Sequence, residues 1–256
     1  MIRCRVLVTR PEREAARWVE ALRRRGIDAQ ALPLLAIESL RDDSALREAR
    51  ERADRYQAWM FVSAAAVQHF FGDAFRPLEQ GPRCWATGPG TAAALRAAGV
   101  PDARIDVPAE DAGQFDSEAL WQIVRPQLGA GTRVLIVRGG DADGRPAGRD
   151  WLALEIAAAG ARHDTVVAYR RVPPDWSETQ RAMALAAAGD GSIWLFSSSQ
   201  AIANLLQALP QARWAGARAV ATHPRIAQAA RAAGFGQVLH SNSELGALVA
   251  SIESFQ

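Results

Sequence analysis

Short apolar runs rich in β-branched residues alternate along this chain with longer segments whose apolar positions recur at helical spacing. Arg5–Thr9, with Val6-Leu7-Val8 at its centre, predicts a strand. Arg10-Pro11-Glu12 then begins a helix, with proline in the first turn and acids beside the amino end. Trp18, Val19 and Leu22 fall on one face of that helix, and Gly26 stops it. Residues 32–39 read as extended, and Ser44–Arg55 reads as a charged, solvated helix. Ala58–Val62 predicts a buried strand running into a helix that starts at Ser63, and Arg83–Ala86 predicts another strand. Trp121 falls on a further helix, after which the pattern restarts. Arg133–Val137 predicts a strand, followed by Arg138-Gly139-Gly140 and a loop rich in Gly and Asp that reaches Gly148. Arg149–Ala159 predicts a helix and Val166–Val172 an extended segment. Ser192–Phe196, Gln200–Leu209 and Arg218–Ala221 read as strand, helix and strand.

One stretch organises the rest. Ala86-Thr87-Gly88-Pro89-Gly90-Thr91 reads as a strand end and a tight turn with Thr91 as helix cap, leading into an Ala-rich helix stopped by Gly99. Ala221-Thr222-His223-Pro224-Arg225-Ile226 repeats it 135 residues further on. Trp59-Met60-Phe61-Val62-Ser63 matches Trp194-Leu195-Phe196-Ser197-Ser198 at the same spacing, whereas Val6–Arg10 matches Val134–Arg138 at a spacing of 128. Strands followed promptly by helices argue for parallel sheets, in which ligands lie beyond the carboxyl ends of the strands. Those ends carry Thr9, Arg10, Ser63, Thr87, Arg138, Ser198 and Thr222.

Composition narrows the chemistry. At 256 residues and 49% hydrophobic, the chain suits one large domain or two small ones. A net charge of +2 gives no argument for nucleic acid. Every basic residue is Arg and none is Lys, which excludes Schiff-base lysines and the P-loop lysine. Cys4 and Cys84 lack CxxC spacing, and His69, His163, His223 and His240 are scattered, so no metal is expected. The charged residues near Met1 read against a signal peptide, and no apolar run approaches the roughly 20 residues of a spanning helix. The expectation is a soluble cytoplasmic protein.

Val8-Thr9-Arg10-Pro11, Leu32-Pro33-Leu34, Phe61-Val62-Ser63-Ala64-Ala65-Ala66-Val67 and Ala86-Thr87-Gly88-Pro89 occur in that order. Leu135-Ile136-Val137-Arg138-Gly139, Arg149-Asp150-Trp151-Leu152, Ala168-Tyr169-Arg170-Arg171 and Phe196-Ser197-Ser198 follow. In order and spacing these pieces resemble the uroporphyrinogen-III synthase family over nearly the whole chain. The resemblance implies two flavodoxin-like α/β domains with parallel sheets, a two-stranded connector and a cleft between the domains. The first domain would combine residues 1–36 with 174–256, the second would be inserted at 40–168, and the connectors would be 32–39 and 168–173. A plain tandem reading of the repeat would instead cut the chain near residue 125.

The resemblance also implies a reaction. The family's substrate is hydroxymethylbilane, an open chain of four pyrroles carrying eight carboxylates. The family closes it to uroporphyrinogen III with loss of water and inversion of the last ring, without cofactor or metal. Tyr169 aligns with the family's tyrosine implicated in assisting hydroxyl departure; read alone, a phenol in a strand is more often a packing residue. Ser63, Thr91, Ser197 and Ser198 would touch substrate carboxylates at helix starts, or serve only as caps. Arg10 and Arg138 would pair with carboxylates, or with nearby acids such as Glu12 or Glu14. Gly139 opens a segment, through Gly148, that reads either as a mobile lid or as a solvated connection, and Arg149 just beyond it contacts substrate or caps the loop. The second turn departs from the family pattern at His223-Pro224-Arg225-Ile226, where Arg225 would replace a hydroxyl contact and His223 is a turn residue or an acid.

The expected partners are hydroxymethylbilane and, transiently, hydroxymethylbilane synthase, with no nucleic acid or membrane, and a monomeric chain. Two other readings stand beside this one. A non-catalytic two-domain module that binds a small anion or tetrapyrrole would explain the repeat but not the ordered motifs. A nucleotide-dependent enzyme would need GxGxxG or GxxxxGK[ST], which the segment Arg138–Gly144 lacks.

Overall fold

The computed structural model describes residues 4–72, 75, 80–109 and 117–255. The chain divides into two compact units, one made of Met1–Ala36 with Pro173–Gln256 and the other of Ile37–Val172.

The first unit is built on a sheet of five strands: β1 (Val6–Val8), β2 (Ala29–Ala31), β9 (Ile193–Phe196), β10 (Arg218–Ala221) and β11 (Gln237–His240). Their spatial order is β11-β10-β9-β1-β2, and every pairing is parallel. Read from β2, this is the 2-1-3-4-5 order of flavodoxin-like sheets. Its helices are α1 (Glu12–Arg24), α7 (Glu178–Ala186), α8 (Ser199–Ala208), α9 (Pro224–Ala232) and α10 (Leu245–Glu253). Alternate residues of each strand face opposite sides, so the sheet is buried on both faces. Leu7, Trp194 and Phe196 join one core with Ile202, Leu205 and Phe235. Val6, Val8, Ile193 and Leu195 join the other with Val19, Leu22, Leu248 and Ile252.

The second sheet holds β3 (Ala36–Glu38), β4 (Ala58–Phe61), β5 (Arg83–Ala86), β6 (Ile105–Asp106), β7 (Arg133–Gly140) and β8 (Arg162–Val172). The helices of this unit include α2 (Ser44–Glu51), α3 (Ala64–Phe71), α4 (Pro89–Ala97), α5 (Ser117–Val124) and α6 (Trp151–Ala158). The strand order is β3-β8-β7-β4-β5-β6. Apart from edge strand β3, this is again the 2-1-3-4-5 arrangement, now with β7 and β8, the two strands of this sheet that come last in sequence, holding the first two places. The register pairs Phe61 with Val137 and with Ala86.

This order explains the sequence repeat. The strand matching β1 is β7, and those matching β9 and β10 are β4 and β5. Each unit therefore combines the first part of one repeat with the second part of the other. β1 folds beside β9, and β7 folds beside β4. The equivalence reaches single bonds: the buried Trp59 indole donates to the Ala53 carbonyl at 3.0 Å, and the buried Trp194 indole to the Ala187 carbonyl at 3.1 Å.

Two elements exceed the sequence expectation. β7 continues beyond Val137 through Gly140, and β8 begins at Arg162 rather than Val166. The strands lengthen because all of β7 pairs with β8 from Arg162 to Arg170, with one register shift between Arg138 and Gly139. Helix α7 and the β11–α10 pair also go beyond what the sequence pattern predicts.

Candidate active site

In the second unit, the carboxyl ends of β4, β7 and β8 bring Ser63, Gly139 and Tyr169 together. Ser63 follows β4 in extended conformation and caps α3, its hydroxyl accepting from the Ala66 amide at 3.1 Å. Gly139 lies opposite Tyr169 in the ladder, just past the register shift. A Cβ at Gly139 would stand 2.5–2.7 Å from the phenol ring and hydroxyl. Only glycine lets the ring lie across β7 in this way. Tyr169 is 1% exposed. Its hydroxyl is 3.1 Å from the Ser63 hydroxyl, and the Arg171 guanidinium donates to it at 3.0 Å. The His69 ring lies 5.7 Å from the Tyr169 ring, centroid to centroid.

Arg138, one residue before Gly139, is nearly fully buried. It forms an ion pair with Asp150 and donates to the carbonyls of Ala147 at 2.8 Å and Arg149 at 3.3 Å. The segment after it is tied to itself. Asp141 accepts from the amides of Asp143 and Arg145 through its carboxylate, and Gly140 bridges Pro146. The Ala147 amide donates to the Gly139 carbonyl at 3.3 Å. The stretch Gly139–Gly148 is thus a hydrogen-bonded return over the end of β7. Arg149 does not cap it through its side chain, which forms an ion pair with Glu118 on α5.

The turn after β5 corrects another expectation. Gly88 is the N-cap of α4, and Pro89 takes the first helical position. Thr91 therefore sits inside the first turn, 6% exposed, and does not cap. Proline's fixed φ suits the first helical position, which draws the helix start back to Gly88.

In the first unit, three adjacent strands end in polar residues. Thr9 follows β1 and donates to the Leu195 carbonyl at 2.7 Å. Arg10 pairs with Glu14 at 3.1 Å, not with Glu12, and its guanidinium lies 4.7 Å over the Trp18 ring. Burial lowers the pKa of Arg10, opposed by the Glu14 charge, and its Nε is buried without a hydrogen-bond partner among the described residues. Ser198 caps α8 after β9, its hydroxyl accepting from the Gln200 amide at 3.2 Å, with half-buried Ser197 beside it. After β10, His223 caps α9: its Nδ1 accepts from the Arg225 amide at 3.1 Å. The turn residue therefore carries a structural bond. The Arg225 side chain is exposed and has no ion pair among the described residues.

The opposite end of the second unit is different in kind. A cavity of about 250 Å³ lies toward the amino-terminal ends of β7 and β8, lined by Arg52, Arg55, Tyr56, Arg133 and Asp164 among others. Tyr56 donates to Asp164 at 2.8 Å, and burial, followed by that hydrogen bond, pushes its pKa up to about 12. Tyr169 belongs to the other end of β8. Among the described residues, no group of three or more His, Cys, Asp or Glu side chains is placed to hold a metal ion.

Sequence reasoning places Arg171 within a motif but gives it no role. A signal for it exists all the same: residues two apart on a strand share a face, which puts Arg171 beside Tyr169. Asp150, which takes the charge of Arg138, carries no comparable signal.

Comparison with known proteins agrees with this architecture. The family model described as uroporphyrinogen-III synthase HemD matches residues 16–250. Uroporphyrinogen-III synthetase from Helicobacter pylori shares the fold with a TM-score of 0.60 at 14% identity, covering 98% of this chain and 100% of that one. A mutant uroporphyrinogen III synthase from Thermus thermophilus gives a TM-score of 0.58 at 17% identity, covering 98% of both chains.

Proposed function

Since this chain belongs to the uroporphyrinogen-III synthase family, its activity is the family's, closing hydroxymethylbilane to uroporphyrinogen III in haem biosynthesis, and we propose which residues serve that reaction. The strand-end polar residues of the two units divide the work. Arg10, Ser197, Ser198 and Arg225 of the first unit bind substrate carboxylates, with Thr91 and Arg149 adding to them from the second. Arg138 anchors the return after β7, and Ser63, Gly139 and Tyr169 form the place where the terminal hydroxyl departs.

The observation that carries this reading is the contact of Tyr169 with Ser63 across Gly139. Any buried phenol needs a hydrogen-bond partner. What sets this one apart is that the glycine lets the ring cross β7, so that its hydroxyl meets the helix-start serine at a strand end, where ligands bind. Positioning matters most here, because the bilane closes without an enzyme to the wrong isomer. Acid assistance adds roughly 10²–10⁴-fold where it operates. The eight carboxylates account for the spread of arginines and helix starts, each helix start contributing roughly 0.3–1 kcal/mol toward a nearby anion.

The finer organisation belongs to the same proposal. The segments 32–39 and 168–173 act as the two connectors, and the chain works as a cytoplasmic monomer. It meets hydroxymethylbilane synthase transiently, because an unstable bilane is best handed on directly. No helix among the described residues is long and apolar enough to cross a membrane.

The test generates hydroxymethylbilane in situ, oxidises the products and resolves type I from type III isomers by chromatography. The native chain yields type III. Tyr169→Phe yields type III more slowly, with a larger share of spontaneous type I. A Tyr169→Phe rate equal to that of the native chain removes Tyr169 from the chemistry.

A further inference from the structure

Counting donors and acceptors at Tyr169 leads beyond the phenol itself. Arg171 has no acceptor lone pair on its guanidinium, so it donates to the Tyr169 oxygen. The Ser63 oxygen already accepts from the Ala66 amide. The two hydroxyls carry two protons between them, and one proton makes the bond that joins them. One O–H remains to point away from the pair. Tyr169 is 1% exposed, whereas Ser63 is only half-buried. The accessible O–H is therefore that of Ser63, with Tyr169 donating to it from behind.

We infer that Ser63 is the hydroxyl that touches the departing group, that Tyr169 supplies Ser63 with its proton, and that Arg171 is a positioning residue holding the phenol oxygen as an acceptor. This rests on the assignment of Tyr169 to hydroxyl departure. The Ser63 O–H bond breaks and its proton goes to the oxygen of the terminal hydroxymethyl group. The C–O bond breaks with its electron pair leaving on that oxygen, so water departs and the end pyrrole becomes a cation. Ser63 takes the Tyr169 proton in the same movement, and the resulting phenolate faces the Arg171 guanidinium. Ring closure later expels a proton from the attacked pyrrole carbon, and that proton restores the pair.

The roles of the glycine and the arginine then differ. Gly139 clears room for the ring, and Arg171 sets the direction in which the ring's proton points. A purely structural arginine would be replaced by any side chain that fills its place. A directing arginine is replaced only by one that keeps a donor and a positive charge.

The test is a kinetic cycle on the full chain, with kcat and KM measured separately. Ser63→Ala lowers kcat by about 10²- to 10⁴-fold, with KM within about threefold of the native value. Tyr169→Phe lowers kcat less than Ser63→Ala does, because the Ser63 O–H remains. The double variant Ser63→Ala/Tyr169→Phe is no slower than Ser63→Ala alone, since the relay has already been cut. Arg171→Met lowers kcat several-fold, and Arg171→Lys restores most of the loss. Thermal unfolding of each variant separates folding damage from kinetic loss, and the Ser63/Tyr169 cycle decides the matter even if Arg171→Met does not fold. A Tyr169→Phe loss larger than that of Ser63→Ala, or multiplicative losses in the double variant, would overturn the relay. Production of type I alone by the native chain is a different failure, for it removes the underlying assignment and the relay with it.

Discussion

Arg10 and Arg138 hold equivalent places at the ends of β1 and β7, yet the two units use them differently. After Arg10 the chain enters α1 at once through Pro11, and among the described residues the guanidinium reaches Glu14 and the face of Trp18. After Arg138 the chain makes a return of about ten residues before α6, and the guanidinium gathers Asp150 and two carbonyls of that return. The same side chain is thus a lightly held cation in one unit and an anchor in the other. What differs is the length of chain that follows the strand, not the strand itself. The end of β7 also carries Gly139 and its contact with Tyr169, for which the described residues of the first unit show no counterpart. We therefore assign the chemistry to the second unit and substrate carboxylate binding chiefly to the first.

The sharpest way to break this contrast is at Gly139. Gly139→Ala places a methyl group where the Tyr169 ring now lies. Overpacking of this kind costs about 1–3 kcal/mol, and the ring moves away from Ser63. The expected result is a kcat loss at least as large as that of Tyr169→Phe, measured alongside thermal unfolding. The corresponding change at Pro11 of the first unit, Pro11→Ala, leaves kcat unchanged.

Next in size is the anchor. Arg138→Ala removes hydrogen bonds from a charged donor, each worth about 1.5–3 kcal/mol when buried, and frees the return after β7. Denaturant unfolding shows the loss, and limited proteolysis cuts first between Asp141 and Arg149. Arg10→Ala costs less stability, roughly 1 kcal/mol, and raises KM several-fold. Equal stability losses in the two variants would erase the distinction between anchor and binding cation.

The two copies of the turn provide a smaller comparison. His223 satisfies an amide at the start of α9 that Gly88 leaves unsatisfied by any side chain at the start of α4. His223→Ala therefore lowers stability by about 1 kcal/mol, and His223→Asn, a good cap, preserves it. The smallest expected effect lies at the far end of the second unit. The folded pKa of Tyr56 is raised to about 12 from an ordinary value of 10.0, so folding favours its neutral form. Its contribution to stability is fully present below about pH 10 and is lost as the pH rises toward about 12. Tyr56→Phe flattens that alkaline decline in stability measured by urea unfolding.

Much of this architecture was legible because local pattern and fold agree. Val6-Leu7-Val8, Trp59-Met60-Phe61 and Trp194-Leu195-Phe196 are too apolar and too short for anything but buried strands, and the glycine stops at Gly26, Gly99, Gly160 and Gly234 all take positive φ. The repeat was equally visible, but its spacing alone does not say which halves fold together. That depends on pairing between strands far apart in sequence, such as Val8 with Leu195. The candidate site was legible as a set of residue types at strand ends. Its internal bonds were not: that Arg138 turns to Asp150, or that Thr91 lies within its helix rather than capping it, depends on loop paths and on where proline sets a helix start. Tyr169 could be named from resemblance, whereas its seat on Gly139 arises from a register shift that no periodicity announces.

If the second unit performs the chemistry while the first chiefly binds carboxylates, damage to the first is overcome by more substrate and damage to the second is not. The most direct test is the single-turnover rate of type III formation at saturating bilane, compared between Arg10→Ala/Arg225→Ala and Tyr169→Phe. The first-unit variant reaches a near-native rate and merely needs more bilane to saturate, whereas Tyr169→Phe stays slow at any concentration. A first-unit variant as slow at saturation as Tyr169→Phe would contradict that division.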